Sequence, residues 1–301
     1  MSARPDGVPL TDAAKDTIVQ KFAACPFVGS AVAEGELPVR NDARDPLASL
    51  EDLRKLGDSG GGDLGHVLVL FATGNHAFMR GESGRLDRPT PNGLFSLEFP
   101  GSQGAHPGHS GILMGDPATP GSGRFSAADF ARLVARANAG RIKRSDGAGF
   151  IAENLRRDPK AKVADASVVA ALGGDLVAVG ASLIPTLIDR FGGGDAAEAA
   201  VHDFCQRFTK LAGENNLIGS SGEFGLLFAL LANKPGAATQ DGEPTVAVDD
   251  LECMFVRKKL PPGFESWKKT AADWMRNTIA LALGAAKEFH HVSQTGNRSN
   301  A

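Results

Sequence analysis

Apolar positions recur along this chain with a helical period in segment after segment, separated by short polar or glycine-rich stops. "TDAAKDTIVQKFAA" opens on Thr11 and Asp12 and reads as a capped amphipathic helix ending near Cys25, and a second helix starts at Pro26. "NDARDPLASLEDLRKLG" has an acidic start, leucines at Leu47, Leu50, Leu53 and Leu56, and Gly57 as a stop, so its period is helical too. "HVLVLFATGNHAFM" is apolar throughout and fits a helix or a buried strand. Ser126 caps "SAADFARLVARANAG", with Gly140 as its stop. Further helices are expected in "SDGAGFIAENLRRD", "DASVVAALGGDLVAVGASL", "DAAEAAVHDFCQRFTKLAG", "EFGLLFALLAN" and "SWKKTAADWMRNTIALALGAAKEFHHV".

Strand-like alternation is scarce, and residues 80–123 are dense in Gly, Pro, Ser and His, which predicts a long irregular segment. The pattern therefore predicts an all-α fold in one domain over 1–301. Its core spans about 11–268, followed by a C-terminal helix over 268–291 and a polar tail over 292–301. On that last helix Trp274, Ile279 and Leu283 are expected to face the core rather than a second subunit, and no internal repeat is found.

Composition changes the picture by exclusion. A formal net charge of −3 offers no basic footprint for nucleic acid and no attraction to an anionic membrane. The longest apolar runs, "LVAVGASLIPTLI" and "TIALALGAA", are too short to span a bilayer. Three cysteines, Cys25, Cys205 and Cys253, stand at wide spacing without a zinc-type cluster or a disulfide framework. With a polar N-terminus lacking an apolar signal core, these features predict a cytoplasmic protein.

Two familiar patterns fail on context. "GGGDLG" at Gly60 to Gly65 has dinucleotide-loop spacing but lies between a helix and an apolar run, not between a strand and a helix, and so reads as a flexible linker. "GHSGI" at Gly108 to Ile112 resembles a hydrolase elbow, yet Ile112 stands where the sharp turn needs glycine. Cys25 offers more. Proline is favoured at the first helical position, so "CP" puts Cys25 at a helix cap, where unpaired N–H groups of the next turn favour a thiolate. Such a cysteine can be a nucleophile, a redox sensor or a metal ligand; its structural alternative is a small buried hydrophobe.

"ACPFVGSAVAEGELPVRND" resembles the proximal motif of the haem-thiolate peroxidase family, the chloroperoxidases and unspecific peroxygenases. There a cysteine and proline precede a helix, a glycine and a short "LP" step. Ala24 departs from the family's usual first proline. "GHSGILMGDP", "GRFSAADFARLVARANAGRIKRSDGAGFIAENLRRD", "GEFGLLFALLAN" and "VAVDDLECMFVRKKLPPGFESW" are similar, in order, to later family segments, together covering most of residues 20–268.

The resemblance implies a haem b cofactor with Cys25 as the proximal ligand of the haem iron, and Pro26, His109 and Ser110 near that cofactor. It implies Glu223 as the distal acid-base group, where desolvation among "FGLLFALL" would raise its pKa toward a useful range. In the chloroperoxidase branch a histidine orients that acid; His109 matches, with His106 as its rival. The peroxygenase branch pairs its glutamate with an arginine, for which Arg190 is available. The family's magnesium or manganese ion at a haem propionate is held by acidic residues where this chain has Gly108 and Ser110, so these residues do not themselves call for it. Hydrogen peroxide and a small organic substrate, or a halide, are the implied partners. Phe71, Phe78, Phe95, Leu113 and Phe125 are candidates for an apolar pocket lining, with core packing as the alternative. A haem-binding sensor or carrier without turnover, and a haem-free helical protein, are the competing readings.

Overall fold

The computed structural model describes residues 11, 13, 17, 25–40, 47–75, 94–97, 126–158, 161, 163 and 216–298. Helix takes most of them. In chain order they form α1 (Pro26–Glu34), β1 (Val39–Arg40), β2 (Leu47–Ser49), α2 (Leu50–Gly57), α3 (Gly65–Asn75), β3 (Leu94–Ser96), α4 (Ala127–Val134), β4 (Arg141–Lys143) and α5 (Arg144–Arg157). After residues outside the description come α6 (Asn216–Leu231), β5 (Thr239–Gln240), β6 (Glu243–Ala247), α7 (Val248–Phe255) and α8 (Ala271–Arg298). Ala13 and Thr17 are helical as the pattern predicts, and the Thr17 hydroxyl donates back to the Ala13 carbonyl at 2.9 Å. The segments 164–215, with two predicted helices, lie outside the described residues.

The strands qualify the all-α expectation. Strands β1, β2 and β3 form one antiparallel sheet, with Ala48 opposite Val39 and Phe95. A second sheet runs β4-β6-β5, with Ile142 opposite Val246. Each strand is only two to five residues long, too short for alternation to stand out from its helical surroundings.

Leu47 belongs to β2 rather than to the helix predicted around it. Ser49 has extended backbone and its hydroxyl accepts the Asp52 N–H, which fixes the start of α2 at Leu50. Helix α4 starts where Ser126 predicts, its hydroxyl accepting the Asp129 N–H, but ends at Val134. Gly140, at φ 71, instead serves the turn into β4. Helix α8 begins at Ala271 and continues through the predicted tail to Arg298, with no proline to stop it. Among the described residues no helix is long and apolar enough to cross a membrane.

The core is built on three helices. Helix α6 is buried at every position except Glu223, and it packs on α8 and α5, which also pack on each other. Phe150 of α5 meets Phe224 of α6 with ring centroids 5.8 Å apart, and the buried Trp274 of α8 donates its indole N–H to the Gly222 carbonyl at 3.0 Å. Leu283, expected beside Trp274, is 39% exposed. Nine residues at about 100° each put it half a turn from Trp274, whereas Leu281 and Ala285 share the buried face.

Gly225 is where α6 and α8 come closest. A Cβ there would run into the Thr278 hydroxyl and lie 2.9 Å from its backbone nitrogen. Gly225→Ala therefore trades a helix-propensity gain of about 1 kcal/mol against an overpacking cost of about 1–3 kcal/mol or more in a contact made of backbone. A lower urea midpoint is expected; an unchanged one would show that the helices separate at no cost.

The run Gly60 to Gly65 is no flexible linker. Gly60 sits at φ 70 against the Trp267 carbonyl, and Gly62 lies on the Lys269 carbonyl so closely that any Cβ would clash. The Asp63 N–H donates to Lys269 at 3.0 Å, while the Asp63 carboxylate accepts the Ala271 N–H at 2.7 Å and caps α8. Buried Lys269 donates to the carbonyls of Phe264 and Trp267, both at 2.7 Å, and burial pulls its pKa down to about 8. Gly60 and Gly62 are there because two stretches of backbone meet with no room for side chains.

Candidate functional site

Helix α1 delivers Cys25. Its backbone is extended at the cap position, Pro26 is the first helical residue, and its carbonyl accepts the Gly29 N–H at 2.8 Å. Phe27, Val28, Ala31 and Val32 anchor the helix in the core, and the Ser30 hydroxyl is shared between the Pro26 carbonyl at 2.7 Å and the Met254 carbonyl of α7 at 3.2 Å. Helix α1 is thus tied to α7 at Ser30, while Cys25 itself stays partly exposed at its start.

The sequence reading expects a thiolate there, and the geometry corrects it. Burial dominates and pushes the Cys25 thiol up to about 11. The Val28 amide works against that rise, the Glu223 carboxylate adds to it, and the Phe27 amide and the Lys258 ammonium oppose it. Both amides favour negative charge on sulfur, yet the side chain closes no capping hydrogen bond. Desolvation, helped by the Glu223 charge, therefore wins over the helix-start amides. Cys25 is a thiol at neutral pH until something with a stronger claim on the sulfur, such as a metal ion, displaces its proton.

Glu223 stands on the acid-bearing helix as the sequence predicts. Its neighbours Gly222 and Phe224 are buried, and it alone on α6 retains partial exposure. Its charge is felt at the Cys25 sulfur, which places the two residues 198 positions apart in sequence within one electrostatic environment. Trp274, Phe150 and the Gly225–Thr278 contact hold α6 in place, so the carboxylate sits on a rigid support.

Sequence reasoning missed Lys258. In the basic run Arg257-Lys258-Lys259 the outer two side chains are exposed and Lys258 alone is half-buried, with burial lowering its pKa and Cys25 opposing that shift. Its backbone is left-handed, φ 52, which a lysine rarely adopts. The run reads in sequence as a solvated charge cluster, and no signal there marks its middle member.

His106, His109, Ser110, Phe78, Leu113, Phe125 and Arg190 lie outside the described residues, as does Cys205. Phe95 is placed by its backbone in β3. Phe71 packs edge-on against Trp274, centroids 6.0 Å apart, and belongs to the core packing. Among the described residues no group of three or more His, Cys, Asp or Glu side chains comes together to hold a bare metal ion. Haem iron asks only one or two axial ligands of the protein, and a cysteine that keeps partial exposure at a helix start and shares its surroundings with a carboxylate suits that donor requirement.

Comparison of the chain with protein-family models, with curated proteins and with solved structures finds no match in any of the three.

Proposed function

We propose that this chain is a haem-thiolate peroxidase or peroxygenase that uses hydrogen peroxide to oxidise or oxygenate a small organic substrate. The observation that carries the reading is the coupling of Cys25 and Glu223: two polar residues, each partly exposed beside a buried core, close enough for one to bias the ionisation of the other. Cys25 would hold haem b through its sulfur, with Pro26 fixing the cap that presents it. Haem, when bound, supplies an electron-rich iron that favours breaking the peroxide O–O bond.

The remaining work falls to the chain. Glu223 would accept a proton from one peroxide oxygen and return it to the other, so that the O–O bond breaks with one oxygen leaving as water and the other passing to the organic substrate, which is oxidised by two electrons. Its fixed helix keeps the carboxylate where its charge reaches the sulfur. His109 or His106 would orient that carboxylate, and the propionate cation, magnesium or manganese, belongs to the reading only through the family resemblance. The test is the absorption spectrum of the protein with haem, reduced under carbon monoxide. A strongly red-shifted Soret band is expected, and a band at the position of imidazole-ligated haem, or no uptake, would overturn the reading. Uptake with that band but without peroxide turnover would identify a carrier or sensor instead.

Haem affinity should also depend on pH. A thiol held at about 11 must lose its proton to bind iron, so affinity is expected to rise about tenfold per pH unit over roughly pH 6 to 9. The sign follows from the proton released: raising pH removes the competitor for the sulfur. Spectrophotometric titration at several pH values checks it, and flat affinity would mean that the iron does not take the ionised sulfur.

A further inference from the structure

Lys258 carries two costs at one position. A non-glycine residue in the left-handed region is strained, and a half-buried ammonium gives up hydration that its exposed neighbours Arg257 and Lys259 keep. The turn that imposes both is firmly held: the Lys259 N–H donates to the Cys253 carbonyl at 2.9 Å, and the Leu260 N–H reaches the Glu34 carboxylate of α1 at 3.3 Å. With Ser30 bonded to Met254, the start of this turn and the cysteine-bearing helix form one connected unit. Strain held in place by its surroundings is a feature of functional sites. Here it turns a single cation of a basic run inward, to where its charge is felt at Cys25.

We propose that Lys258 is the binding residue for a carboxylate on the edge of the cofactor, a haem propionate. The inference rests on the haem-thiolate reading. The sulfur takes the iron at the centre of the macrocycle, and the ammonium takes an anionic group at its rim. A point charge on a flexible stem is suited to a carboxylate whose position is set by another bond.

The experiment titrates the haem-free protein with hemin and with hemin dimethyl ester, in which both propionates are neutral. Lys258→Met is expected to weaken hemin on the order of tenfold more than it weakens the ester, whose smaller loss reflects only the help Lys258 gives to ionisation of Cys25, and to leave the carbon monoxide spectrum unchanged. Lys258→Arg, which keeps the charge, should bind hemin close to wild type. Equal losses for hemin and ester would overturn the proposal, because Lys258 would then act through the acidity of Cys25 or through the fold. No loss in Lys258→Met would overturn it as well, with the haem reading intact. Failure of the wild-type protein to take up either pigment would overturn both.

Discussion

Cys25→Ala is expected to abolish the red-shifted carbon monoxide band and to weaken haem binding by at least about a hundredfold. The side chain removed is the proposed iron ligand, and loss even of a group that merely supports a metal ligand costs about ten- to a hundredfold. The fold should survive. The cap of α1 depends on backbone, since the Gly29 N–H donates to the Cys25 carbonyl and the side chain closes no capping bond. Removing one sulfur atom from a residue that keeps partial exposure at a helix start leaves only a small cavity, so circular dichroism and the thermal midpoint should change little. The variant thus separates ligation from stability. A Cys25→Ala protein that folds and still shows the wild-type band would remove sulfur from the iron.

Glu223→Gln should leave the pigment and its spectrum in place and lower peroxide-driven oxidation by about 10²–10⁴, the usual contribution of a positioned acid-base group. Glutamine keeps the shape and hydrogen-bonding reach of glutamate but cannot carry the proton from one oxygen to the other. There is a second signature. The Glu223 charge helps raise the Cys25 thiol, so its removal should ease ionisation of the sulfur and tighten haem binding at neutral pH. A residue with a purely structural role would loosen it. Single-turnover kinetics with peroxide, together with a haem titration, read both effects, and unchanged turnover would exclude Glu223 from the chemistry.

The long helices were legible because burial follows their period. Helix α6 reads as helix from "EFGLLFALLAN", and Ser126 marks the start of α4 through the hydroxyl that caps it. The two sheets were not legible, since strands such as Val39–Arg40 are too short to show alternation and are made by pairing with distant residues. The glycine run at 60–65 carries a signal of flexibility in sequence, and only its contact with Trp267 and Lys269 shows that the absence of side chains serves packing. At the candidate site, the positions of Cys25 at a helix start and of Glu223 on an apolar helix could be anticipated. The acidity of the thiol could not, because it depends on how much protein surrounds the sulfur, a quantity set by the tertiary fold. Lys258 was hidden for the same reason: its inward turn is a property of a backbone angle, in a run whose other members face water.

The enclosure of α6 bears on how such a site can change. A segment gripped on every side has no freedom to slide or tilt toward a bulkier guest, and a substitution along it disturbs the interior before it alters selectivity. On the proposed function, adaptation to new compounds would leave 216–231 untouched and accumulate outside it, so that reactivity and preference evolve on separate parts of the chain.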